Sequence, residues 1–467
     1  MNFVSTRGKV NKIGFIDTVL MGLANDGGLL VPENIPQIPA EKLEAMSHLT
    51  YQELACEIFS YYVDGEIPGN ELKALIEKSY ATFRHPEVTP VQKIKNNLYV
   101  LELFHGPTFA FKDIALQFLG NLYSYVSKKT GETIHILGAT SGDTGASAIE
   151  GVRGKEGIRI CILHPHGKVS KVQELQMTTV ADKSVLNLAI KGTFDDGQRI
   201  IKELFADVEL KNKYHLRAIN SINFVRILAQ TVYYFYAYFQ VKKENNLTSV
   251  NFSVPTGNFG DIFAGYLAKK MGLPVGKLIV ATNENNILES FIQDGVYMPG
   301  EFRSTYSPSM DIQVASNFER YLYYLLGEDP QAVSDLMAKF KAEGKIVVNE
   351  EQLQQVQKDF AAHGVEGEEC LQTISKYYNE TSYLLDPHTA CGVAAYEKCN
   401  HTNEVCVTLA TAHPAKFNES IELCDIKQTY PEEINQLFNK PQHLEVVEAD
   451  NDEVVRHLEK LFSYSVK

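Results

Sequence analysis

The chain has 467 residues, enough for two or three domains with sizeable cores, which excludes a small stapled scaffold. Its 44 Lys and Arg against 58 Asp and Glu leave a formal charge of −14, and a net acidic surface repels phosphate backbones, so no nucleic-acid partner is expected. With 44% hydrophobic and 22% charged residues the chain reads as an ordinary soluble globular protein and not a disordered one.

The basic N-terminus, MNFVSTRGKVNKIGF, lacks the apolar core of a secretory signal, and a cytoplasmic address is expected. Helical patterns at Glu41 to Met46 and Tyr51 to Tyr62, with a turn-rich segment from Asp26 to Pro32, mark residues 1–90 as an N-terminal extension packed on the body. Beyond them, β-rich apolar runs alternate with helical patterns. Strands are predicted at Leu98 to Phe104, Ile134 to Leu137, Ile158 to Leu163, Val185 to Ile190, Val250 to Val254, Leu278 to Ala281 and Val405 to Leu409. This alternation gives the fold class: α/β, with mostly parallel sheets and flanking helices. The most apolar stretch, Phe224 to Val241, is broken by Arg226, Gln230 and Gln240 and crowded with tyrosines, so it predicts a buried helix and no membrane span. Residues 329–378 predict a charged helical insertion or lid, and the end of the chain short helices around one strand, Leu444 to Val447. Seven cysteines without a C-x-x-C pair suggest reduced, mostly buried thiols and no zinc site, and no metal is expected.

In open parallel sheets ligands bind beyond the carboxyl ends of strands, so the strand-to-helix turns carry the candidates. His105-Gly106-Pro107-Thr108-Phe109-Ala110-Phe111-Lys112-Asp113 places Lys112 in a first helical turn beside apolar residues. The dipole and desolvation there would depress its amine, as a Schiff-base lysine requires, although a solvated lysine fits the same position. The run Gly138-Ala139-Thr140-Ser141-Gly142-Asp143-Thr144-Gly145 offers amides and hydroxyls to an anion, or else is a close-packed turn capped by Ser141 or Asp143. Neither it nor Pro255-Thr256-Gly257-Asn258-Phe259-Gly260-Asp261 meets a nucleotide fingerprint, yet both suit phosphate at a helix start. Asn220, Asn223 and Arg226 fall three apart and should share one side of a helix start, suiting capture of a carboxylate or phosphate, or simply a cap and a surface ion pair. The strand end Thr408-Leu409-Ala410-Thr411-Ala412-His413-Pro414 says little by itself.

Together with Ser5-Thr6-Arg7-Gly8, Asp26-Gly27-Gly28-Leu29, Ser307-Pro308-Ser309-Met310-Asp311-Ile312 and Asp386-Pro387-His388-Thr389-Ala390, these segments resemble the threonine synthase family of pyridoxal-phosphate enzymes, fold type II, in the right order over most of the chain. The resemblance implies two fold type II domains besides the extension. Residues 91–130 and 245–467 would form a large cofactor-binding domain with a helical insertion at about 329–380, and residues 131–244 a small domain carrying the substrate loop. It implies conversion of O-phospho-L-homoserine and water into L-threonine and phosphate, by γ-elimination and then addition of water at the β-carbon. Lys112 would hold the cofactor and shuttle protons. Gly257, Asn258, Phe259, Gly260 and Asp261 would cradle its phosphate with backbone N–H groups, and Thr411 would face its pyridine nitrogen. Ser141, Thr144, Asn220 and Arg226 would surround the substrate's carboxylate and phosphate. Asp143 would lie near the cofactor, where many relatives carry Asn; an ionised carboxylate has no hydrogen to donate to the cofactor's phenolate. The implied partner is that small-molecule substrate, with a monomer or dimer as the assembly. A related lyase or dehydratase releasing 2-oxobutyrate and a catalytically silent metabolite-binding relative are the alternatives.

Overall fold

The computed structural model describes residues 1–245, 247–400 and 404–463. Strands of Val, Ile, Leu and Phe that are buried along their whole length, such as Val250–Pro255 and Cys406–Ala410, need cover on both faces, and this requirement organises the chain. They lie at the centre of a six-stranded sheet in the order Phe360–Gly364, Val275–Thr282, Val250–Pro255, Cys406–Ala410, Leu98–Glu102, Val91–Lys95. All neighbours are parallel except the last pair. A second, all-parallel sheet has the order Glu445–Glu448, Val185–Lys191, Ile158–Pro165, Ile134–Ala139, Leu216–Ala218. The strands expected from the sequence are present within a few residues, and the first sheet gains an antiparallel edge.

The chain divides into two compact units, and their limits differ from the expected domains. The first unit contains residues 1–76, 83–105 and 221–428, the second 77–82, 106–220 and 429–467. Three physical causes shift the boundaries. Helix Lys112–Thr130, expected with the large domain, packs in the second unit on helix Asp143–Val152. Their backbones touch through glycines: a Cβ on Gly120 would stand 2.0 Å from the carbonyl oxygen of Gly151. Helix Phe224–Glu244, expected in the small domain, belongs to the first unit and packs on helices Gly260–Lys270 and Tyr51–Val63. Finally, the last strand joins the second sheet, Glu445 pairing with Leu188.

Within residues 329–380 the structure corrects the expectation of a purely helical insertion. Phe360–Gly364 pairs in parallel with Leu278 to Thr282 as the edge of the six-stranded sheet, and Ile346–Val347 pairs with Val296–Tyr297. The sequence FAAHG carries little β-propensity, so the pairing comes from the neighbouring strand's edge.

In the N-terminal segment, Phe3–Ser5 pairs antiparallel with Leu30–Pro32. Asp26 closes the intervening loop by accepting from the Ser5 hydroxyl (2.8 Å) and the Gly28 amide (2.9 Å). All seven cysteines are free, and no described helix is long and apolar enough to cross a membrane.

The glycine contact yields a stability prediction. Gly120→Val should force the two helices apart and lower the thermal midpoint by about 3 °C or more, as overpacking of a close contact does. Gly69→Ala, at a helix start with open space around its Cα, should leave the midpoint within about 1 °C by the same calorimetric measurement.

Candidate active site

In the second unit, the segment before helix Lys112–Thr130 is pinned from within. Asp113 is fully buried and accepts from both the Thr108 amide and the Thr108 hydroxyl at 2.7 Å, while Thr108 and Ser147 hydroxyls meet at 2.8 Å. Gln176 donates to the Thr108 carbonyl at 3.0 Å. This web fixes Lys112 as the first helical residue, with its side chain only 13% exposed and its amine 5.3 Å from the Phe111 ring centre. The amine lies 3.6 Å from Asp143 Oδ2. Asp143 opens the next helix, and its Oδ1 accepts from Gln173 at 2.8 Å; Gln173 in turn accepts from Ser170 at 2.9 Å.

The turn before Asp143 is internally wired by Thr140, whose hydroxyl oxygen accepts from the amides of Gly142 (3.0 Å) and Gly145 (2.9 Å). Two groups escape this wiring. Ser141 is exposed and Thr144 half-buried, and among the described residues neither their hydroxyls nor their N–H groups meet a protein acceptor. Asn220 follows Leu216–Ala218, the neighbour of strand Ile134–Ala139, so it sits at the same carboxyl edge as the Ser141 turn; its Oδ1 is buried without a partner among the described residues. The second unit therefore gathers Lys112, Asp143, Ser141, Thr144 and Asn220 at its strand ends and helix starts.

In the first unit, Val250–Pro255 and Cys406–Ala410 are adjacent, so the turn Gly257 to Asp261 and Thr411 leave the sheet side by side. Phe259 holds φ +63°, the left-handed conformation that turns the chain into helix Gly260–Lys270. Among the described residues, the N–H groups of Gly257, Asn258, Phe259 and Gly260 have no acceptor. A Cβ on Gly257 would stand 3.0 Å from the Ser309 carbonyl and 3.2 Å from Met310 Cα, so a side chain there would push against the Pro308–Met310 turn. That turn is fixed by a buried pair: His388 Nδ1 and Asp386 Oδ1 are 2.8 Å apart, and His388 Nε2 accepts from the Ser309 amide at 3.2 Å. Asn258 Oδ1 is engaged internally, accepting from the Ser316 hydroxyl at 3.0 Å.

Asp261 lies in the first turn of the helix that follows, and its Oδ2 is buried without a partner among the described residues. Its carboxyl is buried under helix Phe224–Glu244 and accepts from the hydroxyls of Tyr233 (2.5 Å) and Tyr234 (3.0 Å). Burial pushes its pKa up to about 7, the two tyrosine hydrogen bonds opposing the rise.

Arg226 is 3% exposed in the first turn of that helix, and its Nε and Nη1 meet no acceptor among the described residues. Burial lowers its pKa to about 10, which still leaves a cation at neutral pH. The expectation that Asn220, Asn223 and Arg226 share a helix face is corrected. The helix begins at Phe224, Asn220 lies in the other unit, and Asn223 is the cap, accepting from Val225 N–H (3.2 Å) and donating to the Val19 carbonyl (2.8 Å). The residue after Arg226, Ile227, reaches within 3.6 Å of where a Gly260 Cβ would lie. Thr411 is 6% exposed, and its hydroxyl engages no protein group among the described residues. His413, two residues on, is held to a pKa of about 4 by burial and stays neutral.

Sequence reasoning missed Gln173, Thr108 and the Asp386–His388 pair as supports. The DPHTA and SPSMDI strings were visible, but their partnership spans 79 positions.

Comparison with known proteins places this geometry. A family profile described as "Pyridoxal-phosphate dependent enzyme" matches residues 83–411, "Threonine synthase N terminus" matches 2–80, and "Threonine synthase, C-terminal" matches 389–458. The chain is 47% identical to a threonine synthase of Pseudomonas aeruginosa, over 96% of each chain. It is 46% identical to that of Schizosaccharomyces pombe, over 91% of this chain and 89% of that protein. A crystal structure of PLP-bound threonine synthase from Brucella melitensis superposes with a TM-score of 0.96 at 41% identity, covering 99% of this chain and 100% of that one.

The Asp261 environment predicts a pH signature. The carboxyl ionises at its ordinary 3.8 when unfolded and near 7 when folded, so the folded state holds the extra proton in between and stability falls as pH rises from about 4 to 7. Asp261→Asn keeps the acceptor for both tyrosines and lacks this loss. Its melting temperature relative to the parent should therefore rise by roughly 2 °C or more between pH 5 and pH 8; an unchanged gap would contradict the buried acid.

Proposed function

The chain belongs to the threonine synthase family of pyridoxal-phosphate-dependent enzymes, and on that premise we propose that it converts O-phospho-L-homoserine and water into L-threonine and phosphate. Its cofactor is pyridoxal phosphate. The residues fit that group: four amides at a helix start without an acceptor among the described residues, beside a glycine whose Cβ would crowd the Pro308–Met310 turn, suit a phosphate, and a nearly buried lysine amine suits its aldehyde. When bound, the cofactor supplies the electron sink for carbanions formed on the substrate.

The observation that carries the assignment is Arg226. A guanidinium buried in an apolar helix with two nitrogens unpaired is unfavourable unless an anion arrives. The turn at Gly257 already accounts for the cofactor's phosphate, so Arg226 calls for a second anion, and a phosphorylated substrate provides it. A dehydratase acting on an unphosphorylated amino acid has no such need.

The roles divide accordingly. Lys112 holds the cofactor and, once freed by substrate, moves protons among the substrate's carbons. Asp143, 3.6 Å from the amine and steered by Gln173, balances the Lys112 charge and keeps the side chain extended toward the reacting carbons. This gives the acid a use that does not require it to donate a hydrogen. Ser141, Thr144 and Asn220 supply hydroxyl and amide groups to the substrate's carboxylate, and Arg226 takes its phosphate, the leaving group. Thr411 offers a hydroxyl to the pyridine nitrogen. A hydroxyl, unlike a carboxylate, brings no negative charge that would hold that nitrogen protonated. Seven free cysteines support the cytoplasmic address.

Incubation with O-phosphohomoserine tests the proposal through its carbon product. Threonine with equimolar phosphate is expected; 2-oxobutyrate would reassign the chain to a lyase, and no turnover to a binding protein. Borohydride treatment of the holoenzyme should fix the cofactor on Lys112, as read by peptide mapping, and Lys112→Ala should lose turnover while still binding the cofactor noncovalently. Arg226→Ala should lower kcat/KM for phosphohomoserine by roughly tenfold or more with the cofactor's absorbance unchanged. Arg226→Lys should recover part of this, because an ammonium lacks the bidentate fork. Loss of cofactor with normal substrate binding would instead assign Arg226 to the cofactor's phosphate.

A further inference from the structure

We infer that Asn317 and Arg320 are positioning residues that strengthen the anion-binding N–H groups of the Gly257 to Asp261 turn from behind, and that the N-terminal segment anchors them; the inference rests on the assignment of that turn to the cofactor's phosphate. Arg320 is fully buried, yet among the described residues no carboxylate hydrogen-bonds to it; Glu319 acts on it only through space. Its neighbour Glu319 is taken by the N-terminal segment, accepting from Arg7 at 2.8 Å and from the Thr6 hydroxyl at 2.6 Å. The Arg320 guanidinium instead donates to three neutral oxygens: Nε to the Leu30 carbonyl (3.0 Å), Nη2 to the Ile222 carbonyl (2.6 Å) and Nη1 to Asn317 Oδ1 (2.5 Å). Leu30 lies in the strand that pairs with Phe3–Ser5, so the first residues of the chain hold one edge of the guanidinium.

From Asn317 the chain of hydrogen bonds continues to the turn. The Asn317 amide N–H (3.0 Å) and Nδ2 (3.2 Å) both donate to the Asn258 carbonyl, and Nδ2 also reaches the Ser221 carbonyl at 3.2 Å. The Asn258 carbonyl belongs to the same peptide unit as the Phe259 N–H, one of the four donors without an acceptor. Hydrogen bonds accepted by a peptide oxygen polarise that unit and make its N–H a better donor, and serial bonds strengthen one another. A buried cation at the far end of such a series pulls in the same direction throughout. Arg320 thereby favours an anion on Phe259 N–H without touching it, and the anion in turn offsets the cost of a buried charge that has only neutral partners. The same series ends on Ser221 and Ile222, at the entry to the helix that bears Arg226, so the two anion-binding segments of this unit share one support.

The test uses cofactor-stripped enzyme and pyridoxal phosphate as the probe. Asn317→Asp is isosteric but loses the Nδ2 donor, and it should raise the cofactor's dissociation constant in equilibrium dialysis by tenfold or more. The ³¹P resonance of the bound cofactor should shift, since that signal reports the phosphate's hydrogen bonding. Arg320→Lys, which retains the charge but reaches fewer oxygens, should give an intermediate constant and shift, and it carries the test if Asn317→Asp does not fold. Gly257→Val separates the two levels of the claim. Weak retention in Gly257→Val together with parental affinity and ³¹P shift in the Asn317 and Arg320 variants would overturn the positioning role alone. Parental retention in Gly257→Val would overturn the phosphate turn itself. A lowered melting temperature with unchanged affinity and resonance in the Asn317 and Arg320 variants would show a merely structural role and overturn the inference.

Discussion

Backbone N–H groups attract an anion only while they stay unpaired and point one way, and the first unit is arranged around that constraint. At the Gly257 turn the carbonyls and side chains are engaged from behind by Ser316 and Asn317. The flank is closed by the Pro308–Met310 turn, itself locked through His388. Left to themselves, these amides would twist toward whatever acceptor was nearest, and a flexible turn would have to be ordered by its ligand at an entropic cost. Here the ordering is done during folding. The left-handed Phe259 belongs to the same scheme: its backbone conformation is unfavourable in isolation, and its ring is held by Phe318 at 5.3 Å and Phe360 at 5.8 Å.

Helix Phe224–Glu244 shows how one apolar element handles two opposite charges. Arg226 keeps its charge because even deep burial leaves a guanidinium protonated at neutral pH. Asp261, pressed against the same helix, has its affinity for a proton raised toward neutrality and is screened by two tyrosine hydroxyls. The two burials act unequally: the positive charge of Arg226 persists at neutral pH, and the negative charge of Asp261 is attenuated.

Much of this was legible in the sequence, and the limits are physical. Strand-helix alternation gave the sheets, and glycine-bearing turns after strands marked where ligands go, because both depend on local pattern. The same local logic singled out Lys112 and the Gly257 turn as candidates. What failed was whatever depends on a remote partner. Three residues at intervals of three looked like a single face at 220–226, but the helix starts one residue after Asn223, whose amide is used as a cap with a partner 204 positions away. Nothing in the sequence around Ser316 to Arg320 marks their part in the turn, since Arg320's bonds reach Leu30 across 290 positions. The unit boundaries were misplaced for the same reason: a four-residue strand near the end of the chain decides which sheet the C-terminal segment joins, and two small residues decide which unit receives helix Lys112–Thr130.

That late strand also governs the order in which the protein can be made. Lys191 and Glu448 are paired across 257 residues, so Val185–Lys191 leaves the ribosome with one edge open and keeps it open until synthesis is nearly over. The first unit is in the same position, since Leu98–Glu102 waits for Cys406–Ala410 to fill the centre of its sheet. Neither unit is a contiguous module: the first needs residues up to 428 and the second residues beyond it, and both expose unpaired, apolar strand edges during translation. Slow, long-range closure of this kind favours chains that are shielded by chaperones while nascent, and it means that truncation at the C-terminus would damage the unit bearing Lys112 although Lys112 itself lies in the first quarter of the chain.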